Sequence, residues 1–383
     1  MGIRKKVESV IHGRVPAASK WLLAGLSGAA SLYGILTRLR KTAYKNQVFP
    51  TMQLPCYVIS VGNITLGGTG KTPMTIYLAR LMRSLGYRVA ILSRGYGGSA
   101  MARGGVVSDG HHILMDVPAC GDEPFMMATA LKTIPVLVGR DRYKSGMEAV
   151  RRFRPDAILL DDAFQHLRLA RDLDLVLLDA EKPFGNERLF PRGVLREDKE
   201  GLNRGDAIVM TRVGVDFNGS MAAVKRHARG KPLFYCSHEP YIDTVVPGKA
   251  RNVAGGQRPG NDSGMSILKA RRGYVFSGIA DNGRFQRAVE KAGNHIQGTA
   301  FFEDHHRYLR AELETIMQSA KQSDAEMIIT TQKDFSRIPH GVDWPVDLVV
   351  AGVKIGFPDD AFDQYIGHKM HQYSQKSQGA TGQ

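Results

Sequence analysis

The 383-residue chain has only three cysteines, Cys56, Cys120 and Cys236, widely spaced and with no CxxC pair. That excludes a disulfide framework and a cysteine zinc site, fits a reducing compartment, and leaves each cysteine as a small buried hydrophobe. Acidic residues are also scarce: 37 Asp plus Glu stand against 52 Lys plus Arg, a net charge of +15. Such an imbalance calls for an anionic partner, and nucleic acid, an acidic membrane surface and a phosphorylated substrate all satisfy it. No internal repeat is present. With 43% hydrophobic and 23% charged residues, a disordered, collagenous or polytopic membrane chain is excluded. At roughly 100–200 residues per domain, the length predicts two cores.

Long apolar runs are missing too, with one exception. Trp21 to Thr37 carries no charge and is flanked by basic residues on both sides. A secretory signal would need a cleavage site beyond the run, which instead leads into Arg38, Arg40, Lys41 and Lys45. A spanning helix wants about 20 strongly apolar residues, and Gly25, Ser27, Gly28, Ser31 and Gly34 dilute this shorter run. Arg4, Lys5 and Lys6 on the other flank remove any charge asymmetry that would favour crossing. The expectation is a helix lying in the headgroup region, with Trp21, Leu22, Leu23, Leu26, Ile35 and Leu36 in the acyl chains. Spanning, or packing on the protein's own core, are the alternatives.

The rest of the chain alternates between short apolar runs and helical periodicity. Strands are predicted at 57–61, 88–93, 136–138, 157–160, 173–178 and 207–211, near-continuously apolar as strands covered on both faces are. A helix is predicted from Pro73 to Leu85. The segment 246–266 has no periodicity and reads as a loop or linker. Alternation then resumes, with strands near 274–277, 327–330 and 348–350 and helices over 283–292 and 309–322. The pattern predicts a mostly parallel sheet with ligands at the carboxyl ends of its strands.

Between the first strand and its helix lies Gly62-Asn63-Ile64-Thr65-Leu66-Gly67-Gly68-Thr69-Gly70-Lys71-Thr72-Pro73. Backbone N–H groups of such a loop wrap a β-phosphate, Lys71 reaches the β and γ oxygens, and the Thr72 hydroxyl can ligate Mg2+. The strict phosphate-loop motif has Gly where Thr65 stands, so the context of strand, loop, lysine and helix carries the assignment. Asp161 and Asp162 close the apolar strand Ile158-Leu159-Leu160 and supply carboxylates for the metal. Adjacent strand residues face opposite ways, so one of the two faces it.

These stretches resemble the tetraacyldisaccharide 4'-kinase (lipid A 4'-kinase) family from about Arg38 to Gly356. The resemblance extends through Leu92–Gly98, Gly121-Asp122-Glu123-Pro124, Asp161–His166, Pro191–Glu197, Asp304-His305-His306 and Thr331-Gln332-Lys333-Asp334. The family shares the Thr at position 65, and usually has Gly at Ala163, Glu at Gln332 and Pro near Gly283. The resemblance implies a P-loop NTPase-like, mostly parallel sheet sandwich, a second, smaller α/β domain and an N-terminal membrane-associated helix. The expected boundaries are 1–45 for the membrane helix and its basic flanks, 46–240 for the kinase domain, 241–268 for a linker or inserted loop, 269–365 for the smaller domain, and 366–383 for a disordered polar tail.

The implied reaction transfers the ATP γ-phosphate to the 4'-hydroxyl of an acylated disaccharide 1-phosphate. It would take place at the cytoplasmic face of the inner membrane of a Gram-negative-type bacterium, with an anionic membrane surface and no nucleic acid as partner. Thr65, Gly67, Gly68, Thr69, Gly70, Lys71 and Thr72 would hold ATP, and Thr72, Glu123 and Asp162 would hold Mg2+. Asp122 would be the base, oriented by His305 in preference to His306. Arg94, Tyr96, Asp161, Gln165, His166, Arg196 and Glu197 would hold substrate or support the base. Two competing classes are a P-loop NTPase acting on nucleic acid and a membrane-surface nucleotide-binding scaffold.

Overall fold

The computed structural model describes residues 10–11, 20–214, 221–249, 265–339 and 341–381. The basic flank at Arg4–Lys6 and the insertion near 255–264 lie outside the described residues. Among those described, the strands form one sheet in the order β10-β9-β11-β12-β8-β7-β6-β1-β5-β2-β4-β3.

The first lobe contains β1 (Tyr57–Gly62), β2 (Val89–Ser93), β3 (Gly105–Ser108), β4 (Val136–Val138), β5 (Ala157–Asp161), β6 (Leu173–Asp179) and β7 (Ala207–Thr211). All pair in parallel except β3, which runs against β4. Side chains of β1 alternate between two cores: Tyr57, Ile59 and Val61 enter one and Val58 enters the other. Each face is therefore apolar and covered, as the unbroken hydrophobic runs required. Helix α1 (Lys20–Lys45) precedes the lobe. Within it, α2 (Lys71–Ser84) and α4 (Asp122–Ala130) cover one face and α5 (Arg142–Phe153) the other, while α3 (Val117–Cys120) leads into α4 and α6 (Met221–Ala228) follows β7.

The second lobe comprises β9 (Arg272–Ser277), α7 (Asn282–Lys291), β10 (His295–Phe301), α8 (Arg310–Gln322), β11 (Met327–Thr331), α9 (Gln332–Phe335) and β12 (Asp347–Gly356). Joining the lobes is β8 (Leu233–Val246), whose first residues pair in parallel with β7 while Ser237 to Val246 pair antiparallel with β12. The expected boundary at 240/241 therefore falls inside a strand. The linker expected from 241 to 268 is strand as far as Val246, because alternating Tyr241-Ile242-Asp243-Thr244-Val245 finds a ladder partner.

The expected disordered tail is corrected as well. Residues Ala361–Thr381 form α10, whose Phe362, Ile366 and Met370 are buried against the first lobe's core, and Tyr373 packs on Tyr57 at 4.8 Å between ring centroids. A stripe at intervals of four residues suffices to dock an otherwise polar helix.

Helix α1 is not a core helix. Only Ala30 and Gly34 are buried, whereas Trp21 (88% exposed), Leu32, Ile35, Leu36 and Leu39 face outward. Among the described residues it is the one helix long and apolar enough to cross a membrane. One side docks on the 189–198 segment: a Cβ at Gly34 would lie 2.8 Å from Leu189, the Tyr33 hydroxyl donates to the Arg196 carbonyl at 2.8 Å, and Arg38 and Lys41 pair with Asp198 and Glu197.

Candidate active site

The loop between β1 and α2 is bent by Gly67 (φ 102°) and Gly70 (φ 89°), both in the left-handed region that glycine alone enters cheaply. This turn leaves the N-terminal N–H groups of α2 without a side-chain cap, which makes an anion cradle. Lys71 folds back over the loop, its Nζ 3.4 Å from the Gly67 carbonyl oxygen and 3.8 Å from Asp162. Thr65 is no defect: it bridges Leu195 and is buried, and Asn63 donates to Thr69 at 3.0 Å, so the loop is braced from within.

The adjacent acids separate because β5 ends at Asp161 and the backbone turns left-handed at Asp162, and the acid beside Thr72 is not the one expected. Asp161 turns inward, with Thr75 donating at 3.1 Å and Thr72 lying at 3.5 Å. Asp162, at φ 48°, instead accepts from Arg196 at 2.7 Å. The carboxylate beside the Thr72 hydroxyl is thus Asp161. Burial raises its pKa, with the Glu123 and Asp162 charges adding to the effect. A buried acid pressed this way is a ready partner for a divalent cation, and Thr72 with Asp161 and the nearby Glu123 suits Mg2+, which takes few protein ligands beside phosphate.

Glycines also bring the third part into place. The backbone at Gly98 approaches Ala119 and Gly121 so closely that a Cβ would lie 2.4 Å from the Ala119 oxygen. Loop 94–98 therefore packs against the segment that leads into α4, with the Tyr96 carbonyl beside Gly121 and the Arg94 and Tyr96 side chains exposed. From the second lobe, His305 Nδ1 meets Asp122 Oδ2 at 2.8 Å, and the Tyr96 ring lies 6.0 Å from the imidazole. His306 points elsewhere, bonding Glu312 at 3.0 Å and stacking on Phe302. Burial pushes the Asp122 pKa up, but the hydrogen bonds and charges of His305 and Arg337 outweigh it and hold the carboxyl at about 2.

The tetraacyldisaccharide-1-P 4'-kinase family model matches residues 20–371. The chain belongs to that family. Tetraacyldisaccharide 4'-kinase of Desulfatibacillum aliphaticivorans is 40% identical over 372 residues, covering 96% of this chain and 98% of the relative. The enzyme of that name from Halothermothrix orenii is 35% identical over 371 residues, covering 92% and 95%. Among solved structures, the "apo" form of LpxK from Aquifex aeolicus in complex with ATP has a TM-score of 0.69 at 28% identity, covering 91% of this chain and 99% of that one.

Two departures from the family pattern are absorbed locally. Ala163 is fully buried, and the left-handed residue of that turn is its neighbour Asp162, so the alanine carries no φ strain. Gln332 donates to Asp243 at 3.1 Å.

The remaining expected site residues form a brace. Gln165 donates to the Asn63 carbonyl at 2.7 Å and to Glu197 at 2.9 Å. Glu197, its side chain 2% exposed, is shared by Gln165, Arg204 and Lys41 of α1. His166 is largely enclosed, its Nε2 has no hydrogen-bond partner, and burial followed by the Arg142 charge pushes its pKa down to about 4.

Several site residues escaped the sequence reading. Arg212, at the carboxyl end of β7, ties Asp179 to the Gly68 carbonyl, and His238 lies against Gly70, where a Cβ would approach its Nε2 to 2.4 Å. The only signal for Arg212 was a cation at the end of a parallel strand. Lys333 reaches Glu123 at 3.2 Å, and Arg337 reaches Asp122 at 2.8 Å. Lys333 stood in a quoted motif without a role, and Arg337 stood in none.

Proposed function

We propose that the chain transfers the γ-phosphate of ATP to the 4'-hydroxyl of a tetraacylated glucosamine disaccharide 1-phosphate in lipid A (lipopolysaccharide) biosynthesis, at the cytoplasmic face of the inner membrane. The observation that carries this reading is the convergence of two parts. A lysine-bearing phosphate cradle on the first lobe faces an Asp–His pair assembled only where the second lobe meets it.

Lys71 and the loop amides of Gly67 to Thr72 hold the triphosphate. Thr72 and Asp161, with Glu123 beside them, would hold Mg2+, while the Lys71 charge and then Arg196 outweigh burial and keep Asp162 ionised. Mg2+ held by these residues would supply positive charge to offset that of the transferring phosphoryl group. Asp122 takes the proton of the acceptor hydroxyl at Oδ1, since Oδ2 is occupied by His305 and Arg337. A carboxyl held at about 2 suffices, because a loose phosphoryl transition state demands little prior deprotonation of the nucleophile. Arg94 and Tyr96, exposed at the mouth, suit the sugar and its phosphate.

The acceptor is greasy and anionic, and α1 with the exposed basic residues Arg40 and Lys45 suits a monotopic seat on an anionic leaflet. No observation favours nucleic acid or a scaffold over this reading.

The test is incubation with γ-labelled ATP, Mg2+ and the acylated disaccharide 1-phosphate in detergent. Labelled lipid is expected. ATP binding without labelled lipid would leave the scaffold reading, and hydrolysis stimulated by single-stranded or duplex nucleic acid would leave the other.

A further inference from the structure

The geometry points to Arg337 as the positioning residue for the phosphoryl-transfer base: anchored by buried Asp334, it fixes the Asp122 carboxylate from the second lobe. This inference rests on the reading of Asp122 as base.

Arg337 follows α9 and is almost sealed from solvent, its side chain 1% exposed. Its Nε donates to Asp122 Oδ2 at 2.8 Å, its Nη1 donates to the Gly278 carbonyl at 2.9 Å, and Nη1 also pairs with Asp334 at 3.3 Å. Asp334 is fully buried and in turn accepts from the Gly278 amide at 2.9 Å, the Tyr308 hydroxyl at 3.0 Å and the Thr331 hydroxyl at 2.6 Å. Four bonds to a wholly enclosed anion fix the guanidinium, and the planar fork passes that orientation to Asp122.

The arrangement has a chemical consequence. Arg337 Nη2 lies 3.3 Å from His305 Nδ1, and both aim at Asp122 Oδ2. A guanidinium cannot accept a proton. Asp122 Oδ2 must therefore accept from both neighbours, which places an imidazole proton on Nδ1 and leaves Oδ1 as the open acceptor of the Asp122 carboxylate. Four residues earlier, within α9, Lys333 holds Glu123. One short stretch of the second lobe thus grips both acids at the start of α4.

The experiment measures kcat and KM for ATP, by labelled lipid formation, in Arg337→Ala, Arg337→Lys and Asp122→Ala, each checked for native circular dichroism. Arg337→Ala is expected to lose about 100-fold in kcat, the scale of loss when a reacting group is misplaced by an ångström, with KM for ATP within about twofold of native. Free guanidinium ion should restore part of that loss, whereas equal concentrations of sodium chloride or urea should not. Arg337→Lys, which keeps the charge but cannot bridge two carboxylates, should fall between. Native kcat in folded Arg337→Ala, or a lowered kcat together with a clearly raised KM for ATP and no guanidinium rescue, would overturn the inference. If Arg337→Ala does not fold, Asp334→Asn decides by the same split, and unchanged kcat there overturns it. Native turnover in Asp122→Ala would instead show that the assignment of the base had failed.

Discussion

Asp122 draws its properties from residues that sit 183 and 215 positions away in sequence, His305 and Arg337. Asp122→Ala should lower kcat by about 10²–10⁴-fold with ATP binding intact, as removal of a general base does, and Lys71→Ala should depress transfer while also weakening ATP binding; turnover and nucleotide titration together check both. The Asp122 carboxyl also couples the fold to pH. It titrates near about 3.9 in an unfolded chain and at about 2 here. A depressed folded value means the ionised carboxylate stabilises the protein above the unfolded value, and that stability is lost as pH falls through about 2. The amount is on the order of 2 kcal/mol. Urea midpoints of the native chain and Asp122→Asn should therefore differ at pH 6 and converge toward pH 2; a gap constant across that range would refute the coupling. At this scale the sequence showed Lys71, Asp122 and His305 through local motifs. It could not show Arg337, Arg212 or His238, whose roles arise from contacts across the lobes, nor the left-handed backbone of Asp162, Arg212 and His305 (φ 48°, 60° and 63°), since none is glycine.

Elements were legible where the apolar pattern was dense. The strands β1, β5, β6 and β7 lie within a residue of expectation because burial on both faces keeps them nearly all apolar, with Ser60 and Asp174 as isolated interruptions. Sparser elements such as β3, β10, α4, α5 and α6 went unpredicted, and two segments were read as something else, each for a physical reason. Helix α10 buries one residue in four, too sparse a stripe to stand out from its polar composition, and β8 is only partly buried along its length. The docking of α10 is nonetheless substantial: Ile366 is fully buried among the residues of the first core. Ile366→Ala should destabilise by about 2–5 kcal/mol, the usual range for such a truncation in a packed core. Denaturant unfolding checks it, and a shift below about 0.5 kcal/mol, typical of a surface site, would mean that the helix is not held as described.

For the whole molecule, association with lipid divides into an apolar part and an electrostatic part that salt can separate. The outward residues of α1 (Trp21, Leu32, Ile35, Leu36 and Leu39) supply area that water does not favour, each side chain gaining about 1.5–3 kcal/mol on full burial. The +15 balance, with exposed Arg40 and Lys45 toward the end of that helix, supplies attraction to an anionic leaflet, about 1 kcal/mol per residue near the surface. Raising the salt to about 1 M shrinks the screening length to about 3 Å and removes most of the second part while leaving the first. In cosedimentation with vesicles containing anionic phospholipid, the full chain should therefore bind more weakly at high salt yet remain partly bound. A chain lacking residues 1–37 should stay in the supernatant even at low salt, because it has lost Trp21, Leu32, Ile35 and Leu36, most of the outward apolar face of α1. Undiminished binding of that shortened chain would refute α1 as the anchor, and complete release of the full chain by salt would mean that its outward face never enters the acyl region.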